Sequence, residues 1–303
     1  MLRPMKTIFL ITMAALVAGA KAQQSTLGDG DSYAWAANFG WIEMIPNRPT
    51  AGDGFRFGEA NCSGWLWSES TGWIHCGDGT PANGISYANA NNTDYGVSHY
   101  ADGNLYGLAW SPNTGWINFG WWTDHPEDPN RPHVDLQSGN FSGYVWSANC
   151  GWINLGSGYL KTDTMIVTDT DNDGISDAWE TAYTGGLGTM NAISDQDHDG
   201  HSDLDEYQAM TNPLNPSDFL KMTAISQVNP DGSATSLTWT SNRKRLYQIE
   251  RSSDLGNSDP WHKSILDPSI FAPDDNSTTT RTTLDPAAPK RFFRVKSLIP
   301  LQP

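Results

Sequence analysis

Residues 143–153 read GYVWSANCGWI, and three earlier stretches follow the same plan: YAWAANFGWI at 33–42, GWLWSESTGWI at 64–74 and GLAWSPNTGWI at 107–117. Each carries two tryptophans separated by five residues, with glycine directly before the second. The pairs are Trp35 and Trp41, Trp67 and Trp73, Trp110 and Trp116, and Trp146 and Trp152, at intervals of 32 to 43 residues. A fixed motif at such spacing signals a repeat architecture. Eleven of the fourteen tryptophans lie between residues 31 and 156, so the repeats account for the aromatic content.

Aromatic and β-branched residues on both sides of a Ser/Asn/Gly turn read as strand, turn, strand. If Trp146 and Trp152 oppose each other across the turn, the alternation of a strand decides the rest. Tyr144, Trp146, Trp152 and Asn154 then share one face, and Phe141, Val145, Ile153 and Leu155 share the other. The aliphatic face is the better core. The tryptophan face is either a stacking platform for sugar rings or a packing surface between repeats. Val134 to Leu136 and Val97 to Tyr100 add an upstream strand, making a three-stranded meander. Exposed strand edges favour closure, so a propeller-, prism- or barrel-like domain is expected.

The same register sets Cys62 and Cys76 on one face of neighbouring strands, diagonal to each other, either bridged or free; Cys150 falls in a turn and reads as a free thiol. Three cysteines in 303 residues do not make a disulfide scaffold.

Downstream, DTDNDGISDAWE at 169–180 returns 26 residues later as DQDHDGHSDLDE at 195–206. Both keep Asp at positions 1, 3, 5 and 9, Gly at 6 and Glu at 12. Between Asp163 and Glu206 there are twelve carboxylates and no Lys or Arg, which repel one another unless a cation intervenes. Alternate residues of a curled loop point to one centre. The expected ligands are therefore Asp169, Asp171, Asp173, Asp177 and Glu180, with the backbone carbonyl of Ile175. In the second loop they are Asp195, Asp197, Asp199, Asp203 and Glu206, with the carbonyl of His201. A flexible shell of oxygens suits Ca²⁺, whereas Mg²⁺ demands a tighter octahedron and Zn²⁺ prefers His or Cys. Short helices should follow, one with Trp179, Ala182 and Tyr183 on a face and stopped by Gly185 and Gly186, the other with Leu204, Tyr207 and Met210.

These loops are EF-hand-like without being EF-hands, because Ile175 comes one place early and the approach through Val167 reads as extended. They resemble thrombospondin type 3 and dockerin-like repeats, in which a calcium loop leads into one short helix. The tryptophan motif is similar to the GxxWSxNxGWIN repeats of exported bacterial surface proteins. From Phe219 onward, LTW at 237–239, YQIERSSDL at 247–255, Trp261 and FFRV at 292–295 resemble a C-terminal module of many exported bacterial proteins. Its punctuated short strands predict a small antiparallel β-sandwich.

The expected fold class is thus mainly β, and the order is a signal peptide at 1–22, a Trp-rich β-repeat domain at 23–162, paired calcium loops at 163–217 and a β-sandwich at 218–303. Arg3 and Lys6, an apolar run from Thr7 to Ala18 and a small-x-small site before Gln23 support the first of these. No later apolar run reaches the ~18 residues of a membrane span. A net charge of −16, with −12 of it in the acidic segment and no basic stripe, argues against nucleic acid as a partner.

No nucleophile elbow, metalloprotease motif, phosphate loop or dinucleotide fingerprint occurs. His125 and His133, beside Glu127 and Asp128, lie in a proline-rich stretch that reads as a solvated loop. Glu43, Glu59, Glu69 and Asp135 are conceivable glycosidase carboxylates, and no two occupy equivalent repeat positions. The residue two after the second tryptophan varies as Glu43, His75, Asn118 and Asn154, a rim better suited to binding than to turnover. The sequence therefore predicts a secreted or cell-surface, calcium-binding modular protein for adhesion or recognition of an extracellular glycan or surface protein. The alternatives are a secreted polysaccharide hydrolase and a structural envelope or matrix component.

Overall fold

The computed structural model describes residues 25–46, 54–231, 233–264, 268–284 and 290–302. The expected signal peptide at 1–22 lies outside them. The chain runs β1 (Leu27–Ala36), β2 (Gly40–Glu43), β3 (Arg56–Phe57), β4 (Cys62–Ser63), β5 (Trp65–Ser68), β6 (Gly72–His75) and β7 (Val97–His99). It continues through β8 (Leu105–Ser111), β9 (Gly115–Asn118), β10 (His133–Val134), β11 (Phe141–Ser142), β12 (Tyr144–Ser147), β13 (Gly151–Asn154) and β14 (Leu160–Thr162). Then come α1 (Asp177–Thr184), α2 (Asp203–Ala209), β15 (Met222–Gln227), β16 (Thr235–Thr240), β17 (Leu246–Ser252), β18 (His262–Lys263), β19 (Thr278–Thr283) and β20 (Phe292–Leu298). No helix among the described residues is long and apolar enough to cross a membrane.

Each tryptophan motif is a hairpin: β1–β2, β5–β6, β8–β9 and β12–β13. The hairpins pair side by side, and β13 returns to β1, closing an eight-stranded antiparallel barrel. Within the hairpins Trp35 opposes Trp41, Trp67 opposes Trp73, Trp110 opposes Trp116 and Trp146 opposes Trp152. The adjacent pairs Ala34 and Ile42, Leu66 and Ile74, Ala109 and Ile117, and Val145 and Ile153 point inward and are buried. An eight-stranded barrel has an interior just wide enough for such side chains to fill. Each buried Leu or Ile contributes about 1.5–3 kcal/mol.

The motif's other residues have local causes. The glycine before each second tryptophan has a left-handed φ, between 73° and 85°, which closes the turn without a Cβ penalty. At Gly143, an added Cβ would lie 2.0 Å from the Arg131 carbonyl oxygen, so no larger residue fits there. The turn asparagines tie one hairpin to the next. Asn113 Nδ2 donates to the Thr71 carbonyl, Asn149 Nδ2 to Thr114 and Asn38 Nδ2 to Cys150. Ser70 Oγ takes the same role in the second repeat, donating to the Phe39 carbonyl. These four bonds run one way round the barrel mouth.

Upstream strands complete the meanders as expected for β3–β4, β7–β8 and β10–β11. Among the described residues the first repeat is preceded by no strand; β14, from beyond the fourth repeat, pairs with the start of β1 at Leu27 and Ser32. Cys62 and Cys76 are free, buried thiols rather than a bridge, and burial pushes the Cys76 thiol up to about 12. Cys150 is free as well.

The C-terminal sandwich has sheets β15–β16–β19 and β18–β17–β20, packed through Leu237, Trp239, Tyr247, Ile249 and Phe271. Between it and the barrel lie α1 and α2, around a small core of Ile175, Trp179, Met190 and Tyr207. α1 ends at Gly185 in the left-handed region, as expected, and α2 ends on Met210, also left-handed. All three parts meet at one buried point. The Tyr207 hydroxyl donates to both Glu59 oxygens at 3.2 Å, and Arg245 Nη1 faces Glu59 at 3.4 Å. Arg245 also donates to the Tyr207 and Gln208 carbonyls at 2.6 and 3.0 Å. The chain then returns to the barrel, where Met165 donates to the Leu301 carbonyl and Ile299 and Leu301 pack on its core.

Candidate functional site

The two acidic loops fold alike. The Asp169 carboxylate accepts from the amides of Asp173 and Gly174, and Asp195 accepts from His198, Asp199 and Gly200. Asn172 and His198 take φ of 60° and 64°, and Gly174 and Gly200 of 94° and 95°, so both chains curl at the same two positions. The curl brings oxygens of Asp171, Asp173 and Glu180 within 4.8 Å of one another, and those of Asp169, Asp171 and Asp177 likewise. In the second loop Asp195, Asp197 and Asp199 converge in the same way, with Glu206 outside that triple.

Position 9 does more than the spacing indicated. Asp177 accepts from the Thr170 amide and hydroxyl, while Asp203 accepts from Gln196 N and Ser194 Oγ. These carboxylates brace the loop across its mouth. The position-7 side chains also serve packing, since Ile175 enters the small core and His201 stacks on Phe219 at 4.8 Å.

Whether the residues suit a cation is decided at position 12. Glu180 is fully buried and neither carboxylate oxygen has a hydrogen-bond partner. Glu206 is 1% exposed; its Oε1 accepts from Thr211 Oγ1, while Oε2 has no partner. Oδ2 atoms of Asp173, Asp197 and Asp199 are buried and unpartnered too. Orphaned buried carboxylates cost free energy unless something positive meets them. Burial, then Asp173 and Asp171, pushes Glu180 up to about 7. The Gly188 amide offsets part of this without making a hydrogen bond of normal geometry. Burial, then Asp197 and Asp199, pushes Glu206 up to about 8. The donor set fits a hard cation held by oxygens alone.

A pH dependence follows with opposite signs for the two states. An acid raised on folding favours the cation-free fold below its ordinary pKa, and that advantage is lost as pH rises through the raised value. Chelated protein should therefore lose stability in this segment between about pH 5 and 8. Cation binding needs the carboxylates, so its affinity should rise over the same window and uptake should release protons. Calorimetry in two buffers of different ionisation heat measures that release, and pH-independent binding would contradict it.

The tryptophans occupy the outside of the barrel. Trp35, Trp41, Trp73, Trp116, Trp146 and Trp152 are 36–47% exposed, and Trp67 and Trp110 are half-buried. Each opposed pair meets at a steep angle with ring centroids 4.7–5.1 Å apart. Between hairpins, Glu43 pairs with Trp67, His75 with Trp110, Asn118 with Trp146 and Asn154 with Trp35. The variable polar rim thus stands in register between successive tryptophan pairs.

The conceivable glycosidase carboxylates are dispersed. Glu59 is in the buried junction, Glu69 in an exposed turn, Asp135 caps a turn through Gln137 and Ser138, and Glu43 is on the outer face. His133 bonds Asn104, and neither it nor His125 joins a metal-competent cluster among the described residues. Comparison with family models, with curated proteins and with solved structures finds no match to this chain.

The sequence reading missed the Glu59–Tyr207–Arg245 junction. Its one local signal is a run of three cations at Arg243, Lys244 and Arg245 before an apolar strand.

Proposed function

We propose that the protein is an exported, calcium-stabilised binding module whose tryptophan-bearing barrel face recognises extracellular glycans at a cell surface or in a matrix. The observation that carries this reading is the outward orientation of all four tryptophan pairs. The inward hairpin positions are aliphatic, so the indoles stay at the surface, where their exposed parts can stack on sugar rings. Exposed aromatic pairs flanked by carboxylate, imidazole and amide groups combine stacking with hydrogen bonding. Calcium is the cation favoured by the oxygen-only donors, the doubled loop spacing and the orphaned Glu180 and Glu206.

A glycan array probed with the full chain tests the reading. Trp116→Ala and Trp152→Ala should abolish glycan binding, while lowering stability by well under the ~3–5 kcal/mol that truncating a buried aromatic costs. Urea titration of both variants supplies that second measurement. Loss of the fold with no glycan bound by the parent would end the proposal. Turnover on the array would favour a polysaccharide hydrolase, and concentration-dependent self-assembly without glycan would favour a structural component.

A further inference from the structure

The four hairpins are not equivalent on their outer face, and the difference is concentrated around Trp41. Tyr33, Trp41 and Tyr159 line a cleft of about 230 Å³ whose walls are ring surface with almost no polar atoms. Tyr159 meets Trp41 at 5.6 Å and 88°, Tyr33 meets it at 6.2 Å and 78°, and Trp35 stands behind at 4.8 Å and 68°. The walls are preset by the backbone. The Tyr33 amide donates to the Tyr159 carbonyl at 2.7 Å, and Ser157 Oγ donates to the Tyr33 carbonyl.

Glu43 lies beside this cleft. It shares the outer face with Trp41, two residues away on β2, and is directly opposite Tyr33 on β1. No other hairpin combines these features. The second has His75, whose ring lies 4.2 Å from Trp65 and bonds the Tyr95 hydroxyl, filling the space. The third has Leu108 where Tyr33 stands, and Asn118 where Glu43 stands. The fourth has Trp121 packed at 4.9 Å on Trp152, and Asn154 bonded to the Gly156 amide.

We propose that the Tyr33–Trp41–Tyr159 cleft, with Glu43 beside it, binds a quaternary ammonium group. Three aromatic rings line this one open cleft, and the ring surface they expose attracts a cation through their quadrupoles. A sugar needs hydrogen-bond partners along its edge, which these walls lack. A primary ammonium would give up most of its hydration shell against ring walls with almost no acceptor atoms, whereas a quaternary ammonium has no N–H to satisfy. Glu43 supplies the complementary charge. The cleft takes Trp41 and Glu43 out of the face assigned to glycans, and the other three pairs, away from it, carry that reading without them.

The test titrates the full chain with choline and with its neutral carbon isostere, in which a tert-butyl group replaces trimethylammonium, following tryptophan fluorescence and the NMR signals of Trp41 and Tyr33. Choline should bind at least about tenfold tighter than the isostere, a preference of the size cation–π contacts supply. Tyr159→Ala should weaken choline by at least about tenfold while the fold persists, because the bond to Tyr33 uses only the backbone of residue 159. Glu43→Gln should weaken choline and leave the isostere unchanged. Equal affinity for the two ligands, no binding of either, or choline binding indifferent to Tyr159→Ala would overturn the proposal. Trp116→Ala, away from this cleft, should keep choline binding whatever it does to glycans, so the two readings fail separately.

Discussion

Calcium chelation is expected to open residues 163–217 to protease while the barrel and the sandwich remain folded. Twelve carboxylates in that stretch have no Lys or Arg among them, and several carboxylate oxygens are buried without partners. The two helices have 8 and 7 residues, too short to hold in water without tertiary support. Their shared core is only four buried side chains. Calcium at a hundredfold excess over its dissociation constant would add about 2.7 kcal/mol, a large part of the stability of such a segment. Extracellular calcium modules bind at about 10⁻⁴–10⁻³ M, and on the proposed reading these loops would fill only after export. Limited proteolysis with and without chelator, read by mass spectrometry, checks this. Identical cleavage in both conditions, or no heat on adding calcium, would refute it. Glu180→Gln and Glu206→Gln should reproduce the chelated pattern one loop at a time.

The second large effect is expected from Arg245→Ala. Its guanidinium is fully buried, and its removal takes from Glu59 its ion-pair partner and from the carbonyls of Tyr207 and Gln208 one donor each, leaving them Met210 N and Ser297 Oγ. Removing one partner of a buried pair typically costs about 3–5 kcal/mol, because the other charge is stranded. The sandwich should undock, giving a separate, lower thermal transition in calorimetry. Adding Glu59→Gln should recover part of the loss, since it removes the stranded charge. A single variant within about 1 kcal/mol of the parent would mean the pair behaves like a surface ion pair.

The barrel was legible wherever its logic is local. Period-two alternation, repeated four times, put Val145 and Ile153 on the core face and Trp146 and Trp152 on the other, left open as platform or packing surface; the first pair is buried and the second is exposed. The closed form, completed by β13 on β1, followed from the cost of free edges, but the added strand did not. β14 joins β1 across more than a hundred residues, and nothing in Leu160–Thr162 advertises that partner. The turn asparagines were visible as a motif, yet their bonds reach carbonyls 35 to 112 residues away. In the sandwich, β15 and β19 went unread for a simpler reason. β15 is exposed along its whole length and β19 is a run of threonines around one arginine, so neither shows an apolar face to find. For the acidic loops, spacing named the residues that converge, while the bracing by Asp177 and Asp203 depends on Thr170, Gln196 and Ser194, which no spacing rule marks.

Because β14 pairs with the start of β1, the barrel's beginning and end are neighbours, with Asp163 N donating to the Thr26 carbonyl at 2.9 Å. The order of synthesis is therefore at odds with the order of assembly. The first hairpin emerges without its flanking strands and must wait for residues 151–162, the last to arrive, before the ring can close. Long-range closure of this kind is slow and leaves edges open in the meantime. The same adjacency makes the repeat domain tolerant of being cut elsewhere. A circular permutant joining residue 162 to residue 25 and opening between β2 and β3 would make the pairings of β13 and β14 with β1 local and move the late closure to the β2–β5 seam, and should reach the same barrel.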